Sequence, residues 1–209
     1  MYLGGLCFIT DHKACSLSYE SMVRLVLESG VKWVQYRDKE GSRRDIYRNA
    51  LNLRNITREY NAAFIVNDHT DIALAVEADG VHLGRDDLPA QKAREILGKD
   101  RLIGLSTHSI EQAVDAEALG ADYIGFGPIF RTETKDAGDP KGIAILSQVR
   151  SRIHVPIVAI GGITLDNVRS VLGTGADAVA VASAILKGDI EENAGKFLYI
   201  IRLYETASK

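Results

Sequence analysis

Short apolar runs alternate along the chain with longer segments in which apolar residues recur every three or four positions. Nearly continuous apolar runs of this kind are typical of strands that are buried on both faces of a parallel sheet. The predicted strands are residues 6–10, 31–37, 63–66, 80–83, 102–106, 123–126, 156–160 and 178–181. Successive strands start about 25 residues apart, which is room for one strand and one helix.

The segments between the strands predict helices. One helical face carries apolar side chains at steps of three and four, namely Ile46, Ala50, Leu53, Ile56 and Tyr60. Ser109 is followed three positions later by Gln112, which is the spacing of a capping box. Thr164 is expected to cap the helix that carries Val168 and Leu172.

Eight strands that alternate with helices indicate an α/β protein. A doubly wound sheet is an alternative, but eight units in 209 residues favour a single (β/α)8 TIM barrel that spans residues 1–209 as one domain. A weak internal repeat, residues 77–81, 120–124 and 175–179, has Asp in its third position each time, before a predicted strand. We interpret this repeat as turn chemistry and not as a functional site.

Composition and charge exclude several classes of function. The chain has 25 Lys and Arg against 28 Asp and Glu, and its formal net charge of −3 gives no reason to expect a nucleic acid or a membrane as partner. The only cysteines, Cys7 and Cys15, have no zinc-site or disulfide spacing. Because the first residues lack the basic segment of a signal peptide, a cytoplasmic location is expected. Homo-oligomerisation is left open.

Candidate chemistry follows the predicted strands, which is where barrel enzymes build their active sites. Gln35, Arg37 and Lys39 alternate after the second strand and should point to one side, toward an anion. The alternative is that Arg37 and Lys39 are ordinary rim charges paired with Asp38 or Glu40.

Two carboxylates follow the third and fourth strands. Asp68 and Asp87 could each cap the helix that follows. Taken together, and opposite a pair of cations, they favour a Mg²⁺ site that would let acidic side chains share a pocket with a polyanion.

The remaining strand ends supply hydroxyls and main-chain amides. Ser106 is expected to donate a hydrogen bond to an anion, and the loop of residues 127–142 is either a lid or a solvated surface loop. Gly161, Gly162 and Ser183 follow the last two strands, where barrels often bind a phosphate. The five histidines are interpreted as structural or peripheral, and His108 lies near the end of the fifth predicted strand.

These blocks together resemble the thiamine-phosphate synthase family over essentially the whole chain. The resemblance lies in residues 34–39, 67–68, 80–84, 87–89, 104–108, 127–130, 132–135 and 161–163. It implies that a hydroxymethylpyrimidine diphosphate is joined to a thiazole phosphate, after pyrophosphate has left and a pyrimidine cation has formed. Both substrates are small molecules.

The resemblance also implies roles for individual residues. Those expected to act in catalysis are Arg37, Lys39, Ser106 and Lys135. The substrates would be bound by Gln35, Tyr36, Arg37, Asp38, Lys39, Asn67, Ser106, Thr132, Glu133, Thr134, Lys135, Gly162, Ala182 and Ser183, and Mg²⁺ by Asp68 and Asp87. The alternatives are a TenI-type thiazole tautomerase and a non-catalytic barrel that binds a phosphorylated metabolite. Neither would need the complete set of residues.

Overall fold

A computed structural model describes residues 4–132 and 138–207, in which eight parallel strands form a closed barrel in chain order. The strands are β1 Gly5–Ile9, β2 Trp33–Tyr36, β3 Ala63–Asn67, β4 Gly80–Leu83, β5 Leu102–Thr107, β6 Tyr123–Phe126, β7 Ile157–Ile160 and β8 Ala178–Val181. All eight lie at the positions predicted from the apolar runs. The prediction of a (β/α)8 barrel is therefore confirmed.

Helices follow the strands around the outside of the barrel. In the described part of the chain they are α1 Tyr19–Glu28, α2 Arg43–Glu59, α3 Thr70–Ala75, α4 Ala90–Leu97, α5 Ile110–Ala118, α6 Gly142–Arg150, α7 Val168–Leu172, α8 Ser183–Leu186 and α9 Ile190–Ala207. The predicted cap of α5 is confirmed, because the Ser109 hydroxyl accepts a hydrogen bond from the Gln112 N–H. Among the described residues, no helix is both long and apolar enough to span a bilayer.

The predicted cap of α7 by Thr164 is wrong, and the caps left open as alternatives for Asp68 and Asp87 are not observed. Helix α7 begins only at Val168, because the Asn167 side chain accepts from the Thr164 N–H at 2.9 Å and holds a turn ahead of the helix. Helix α3 begins after His69, and Asp68 lies in the left-handed region at φ 66°, outside the helix. Asp87 accepts from the Gly84 N–H at 2.7 Å and does not cap α4, which starts after Pro89.

Strand alternation divides the core into two parts. Side chains that face outward, such as Phe8, Val34 and Phe64, pack beneath the helices, while Cys7 and Trp33 are among those that fill the barrel. Burial raises the pKa of the Cys7 thiol, which agrees with its interpretation as a small buried apolar side chain.

The repeated Asp residues fasten the bottom of the barrel. Each lies just before an even-numbered strand and accepts a hydrogen bond from a main-chain N–H near the start of the strand before it. Each also forms an ion pair with an arginine of the even-numbered helix that precedes this pair of strands. The ion pairs are Arg54–Asp79, Arg94–Asp122 and Arg150–Asp177, and the N–H donors are Phe64, Ile103 and Ile157, at 2.7, 2.7 and 2.8 Å. We call these three arrangements the Arg–Asp clamps. They agree with a structural and not a catalytic role for the repeat, since barrel active sites lie at the opposite face.

Candidate active site at the mouth of the barrel

A cavity of about 700 Å³ opens at the carboxyl ends of the strands. Its walls include seven of the residues predicted from the sequence, which are Gln35, Arg37, Ser106, Thr132, Gly162, Ala182 and Ser183. These seven residues, predicted separately, thus line one cavity, because every strand of a parallel barrel ends at the same face.

Arg37 borders the cavity with its main chain held by a buried threonine. The Thr10 hydroxyl accepts from the Arg37 N–H at 2.8 Å and donates to the Arg37 carbonyl at 3.1 Å. Within residues 4–132 and 138–207, the Arg37 guanidinium has no ion-pair partner. Its pairing with Asp38 or Glu40 as a rim charge is therefore not observed, and Glu40 pairs instead with Lys13. The Arg37 charge is open to a ligand anion.

Lys39 joins a carboxylate pair, and none of these three residues is among those that line the cavity. Its ammonium group forms an ion pair with Asp68, and Asp68 in turn shares a hydrogen bond with Asp87. Burial alone would raise the pKa of Asp68, but the hydrogen bonds from Lys39 and Asp87 hold it below the ordinary value. Burial and the hydrogen bond to Asp68 raise the pKa of Asp87. Because a hydrogen bond between two carboxyl groups needs a proton, one of them is neutral in this arrangement, and a cation that bound both carboxylates would replace that proton.

The carboxylates of Asp68 and Asp87 suit Mg²⁺ better than they suit a metal ion whose ligands all come from the protein. Mg²⁺ prefers carboxylate oxygens and usually keeps waters or substrate phosphates as its other ligands. Among the described residues, no group of three or more His, Cys, Asp or Glu is arranged to hold a metal. Asp68 and Asp87 therefore suit a cation that is shared with an anionic substrate.

Two of the predicted binding residues face away from the cavity. The Tyr36 side chain is buried in the layer between barrel and helices, where its ring packs edge-on against Tyr19, and Tyr36 is not among the residues that line the cavity. Asp38 accepts from the N–H groups of Glu40 and Gly41 at 3.0 and 2.9 Å and shapes the loop after β2.

The opposite wall, formed by the ends of β7 and β8, offers main-chain donors. Within the described residues, the N–H groups of Gly162 and Ser183 have no acceptor. Gly161 and Gly162 lie at φ 96° and 65°, and a Cβ on Gly162 would come within 2.5 Å of the Arg131 carbonyl. The paired glycines are thus needed where the loop after β6 crosses them, a reason that the sequence did not reveal.

Several residues of the cavity wall were not predicted from the sequence. Asp11 and His108 border it, as do His82 and Tyr123, which the barrel interior brings to its floor. The His82 ring lies 3.0 Å from the Ser106 hydroxyl, so this histidine is not peripheral, and of the two interpretations given for it the structural one remains. The available signal was strand alternation, since Ser106 and His82 both occupy inward-facing positions of adjacent strands.

The predicted residues Glu133, Thr134 and Lys135 lie outside the part of the chain that the structure describes. Their roles remain predictions from the sequence.

Known proteins resemble this chain over most of its length. The sequence model of the family described as "Thiamine monophosphate synthase" matches residues 6–185. The chain is 45% identical over 195 residues to the thiamine-phosphate synthase of Clostridium novyi, which covers 92% of this chain and 96% of that protein. It is 51% identical over 166 residues to the enzyme of that name from Pelotomaculum thermopropionicum, covering 79% and 76%. A thiamine phosphate pyrophosphorylase structure from Pyrococcus furiosus superimposes with a TM-score of 0.89, at 39% identity over 96% of each chain.

Proposed function

Since the chain belongs to the thiamine-phosphate synthase family, we propose that the mouth of its barrel performs the family's reaction with the help of Mg²⁺. In that reaction 4-amino-2-methyl-5-(diphosphooxymethyl)pyrimidine and 4-methyl-5-(2-phosphooxyethyl)thiazole give thiamine phosphate and pyrophosphate. The chain is an enzyme, and its substrates are small molecules.

One observation carries the assignment of the site. A single cavity is bounded on one side by Arg37 and Ser106 and on the other by the open amides of Gly162 and Ser183. Each substrate brings one phosphate-bearing end. A cationic wall suits the diphosphate, and a wall of main-chain N–H groups suits the singly phosphorylated thiazole.

The reaction requires the protein to stabilise charge on the leaving group and to align the nucleophile, more than to transfer a proton. The bond between the pyrimidine methylene carbon and the diphosphate oxygen breaks, and its electron pair leaves with pyrophosphate. The lone pair of the thiazole nitrogen then forms the new C–N bond. Arg37 and Lys39 neutralise the charge that grows on the leaving group, and the Ser106 hydroxyl donates to it. Lys135, outside the described residues, is expected to assist.

Asp68 and Asp87 would hold Mg²⁺ beside the diphosphate, where the ion supplies positive charge to the departing oxygens. Asn67 lies between this pair and the cavity, because its amide accepts a hydrogen bond from Gln35 at 2.7 Å. We expect Gln35 and Asn67 to bind the pyrimidine diphosphate, and the main chain of Tyr36 and the loop formed by Asp38 to border it.

The thiazole phosphate would bind at the other wall. Gly162 and Ser183 present N–H groups there, with Ala182 between the strand and the short helix α8. Thr132, together with Glu133 and Thr134, would cover the ligand from the loop after β6.

The test is product formation by the purified protein. With both substrates and Mg²⁺, we expect thiamine phosphate and pyrophosphate in equal amounts, loss of the reaction with a chelator, and recovery when Mg²⁺ is restored. Isomerisation of the thiazole alone would favour the tautomerase, and binding without turnover would favour the non-catalytic barrel. Product formation that a chelator does not affect would contradict the role of Asp68 and Asp87.

A further inference from the structure

A chain of three side chains runs through the barrel interior to Ser106. The Tyr123 hydroxyl lies 3.2 Å from Nδ1 of His82, and Nε2 of the same ring lies 3.0 Å from Oγ of Ser106. The parallel register aligns Gly104 with both His82 and Tyr123, and Ser106 with Gly125. The three polar groups therefore come from adjacent strands, although 41 residues separate His82 from Tyr123 in sequence.

Two glycines make room for this chain. A Cβ on Gly104 would overlap the ring of Tyr123, and a Cβ on Gly125 would lie 2.9 Å from Cε1 of His82. Neither glycine has a positive φ, so space and not backbone conformation explains why no side chain is present. Strands β5 and β6 are thus built around the two rings.

Burial fixes the direction of the hydrogen bonds. Tyr123 is 1% exposed, and burial raises its pKa well above the ordinary value, so the phenol keeps its proton. In the described part of the chain, its hydroxyl has His82 as its one hydrogen-bond partner. A buried O–H is nearly always paired, so this one donates to Nδ1 of His82. The ring proton then resides on Nε2, which donates to Oγ of Ser106.

We propose that Tyr123 is a positioning residue, which fixes the tautomer of His82 and thereby leaves the Ser106 O–H free to donate into the cavity. With the opposite tautomer, Ser106 would have to donate to the ring and would present only lone pairs to the cavity, which would repel an anion. The identity of that anion, the diphosphate of the pyrimidine substrate, rests on the proposed function. The tautomer does not.

The tautomer is tested by ¹⁵N NMR of protein labelled at histidine, at a pH where imidazole is neutral. The His82 signals are assigned from their absence in His82→Gln. We expect the proton on Nε2 in the unchanged protein, and its partial or complete transfer to Nδ1 in Tyr123→Phe, which keeps the ring but lacks the hydroxyl. A proton on Nδ1 of the unchanged protein would overturn the proposal, whatever reaction the enzyme performs.

The effect on Ser106 is tested by a double-mutant cycle. Tyr123→Phe should lower kcat/KM for the pyrimidine diphosphate about tenfold, because the donor is no longer aligned. The KM for the thiazole phosphate should change less than twofold. In a Ser106→Ala background the same substitution should have no further effect. If the fold-losses in kcat/KM of the two single variants multiplied in the double variant, Tyr123 would act independently of Ser106, and the proposal would be overturned.

Tyr199→Phe is the matched control for these measurements. Tyr199 lies on α9 and is 63% exposed, whereas the three side chains lie in the barrel interior. Its variant should leave both kinetic constants and the His82 signals unchanged. If the unchanged protein made no thiamine phosphate, the proposed function would fail while the tautomer measurement would still decide the role of Tyr123.

Discussion

Nε2 of Gln35 donates to Oδ1 of Asn67 at 2.7 Å, and both side chains are buried. The Asn67 amide in turn hydrogen bonds to Asp68, which helps to lower the pKa of that carboxyl group. The two amides are therefore oriented one after the other, from the cavity wall to the carboxylate pair. This order leaves the Gln35 carbonyl oxygen as an acceptor for a substrate amino group.

Gln35→Met should both destabilise the fold and weaken the binding of the pyrimidine diphosphate. The variant leaves the buried Asn67 oxygen without its donor, so we expect a loss of about 1–3 kcal/mol in the free energy of unfolding. The KM for the pyrimidine diphosphate should rise about tenfold. Urea denaturation and initial rates measure the two effects. Gln91→Met, at an exposed position of α4, is the control and should change neither quantity.

Asp68→Asn should abolish most activity at little cost in stability. Asn tolerates the left-handed conformation at φ 66°, whereas Ala would add backbone strain. We expect kcat to fall about 100-fold or more, with the free energy of unfolding changed by about 1 kcal/mol or less. Asp71→Asn, an exposed carboxylate three residues later, should keep full activity. Retained activity with a large loss of stability would indicate a structural role for Asp68.

Lys39→Met should affect the two substrates unequally. Lys39 belongs to the Asp68 side of the site, whereas the thiazole phosphate is assigned to the amides of Gly162 and Ser183. We expect the KM for the pyrimidine diphosphate to rise about tenfold and that for the thiazole phosphate to stay within twofold. Lys92→Met, on the surface of α4, serves as control. Equal changes in both constants would argue against two separate pockets.

Gly162→Ala and Gly188→Ala separate crowding from backbone strain. Both glycines have positive φ, 65° and 93°, so backbone strain should lower the free energy of unfolding of each variant by about 1–2 kcal/mol. Only at position 162 does the new Cβ meet other atoms, the Arg131 carbonyl at 2.5 Å and Phe130 Cβ at 2.7 Å, because nothing lies within 4 Å at Gly188. Gly162→Ala alone should raise the KM for the thiazole phosphate, by about tenfold or more. Similar kinetics in both variants would contradict this.

The Arg–Asp clamps should govern stability without affecting catalysis. The Asp79 side chain is 19% exposed and accepts two bonds from Arg54, at 2.8 and 3.0 Å, while Asp177 is 41% exposed. We expect Asp79→Asn to lower the free energy of unfolding by about 2–3 kcal/mol. Asp177→Asn should lower it by about 1 kcal/mol, because solvent screens the ion pair of Asp177. Denaturant titration measures the difference, and kcat should remain unchanged in both variants. A fall in kcat without a loss of stability would contradict the assignment.

Local pattern was enough to predict the barrel but not its interior contacts. The bounds of β4, β6 and β8 match the prediction residue for residue, because a turn with Asp immediately precedes each of these buried apolar runs. The blocks at the strand ends likewise place Arg37 and Ser106 at the cavity. The link between His82 and Tyr123 could not be predicted this way, since it depends on closure of the sheet and on space left by glycines in adjacent strands. The left-handed conformation of Asp68 could not be predicted either, because Asp is common both at helix caps and in left-handed turns.

The Arg–Asp clamps connect β3 to β4, β5 to β6 and β7 to β8, and among the described residues they do not connect β4 to β5 or β6 to β7. The outer surface is therefore assembled from strand pairs with unclamped seams between them. A circular permutation that opens the chain between β4 and α4, or between β6 and α6, leaves every clamp within one continuous segment, because Arg94 and Arg150 lie on those helices. One that opens it inside a strand pair must rebuild a clamp between chain ends. The seams are the natural places to cut and rejoin this barrel.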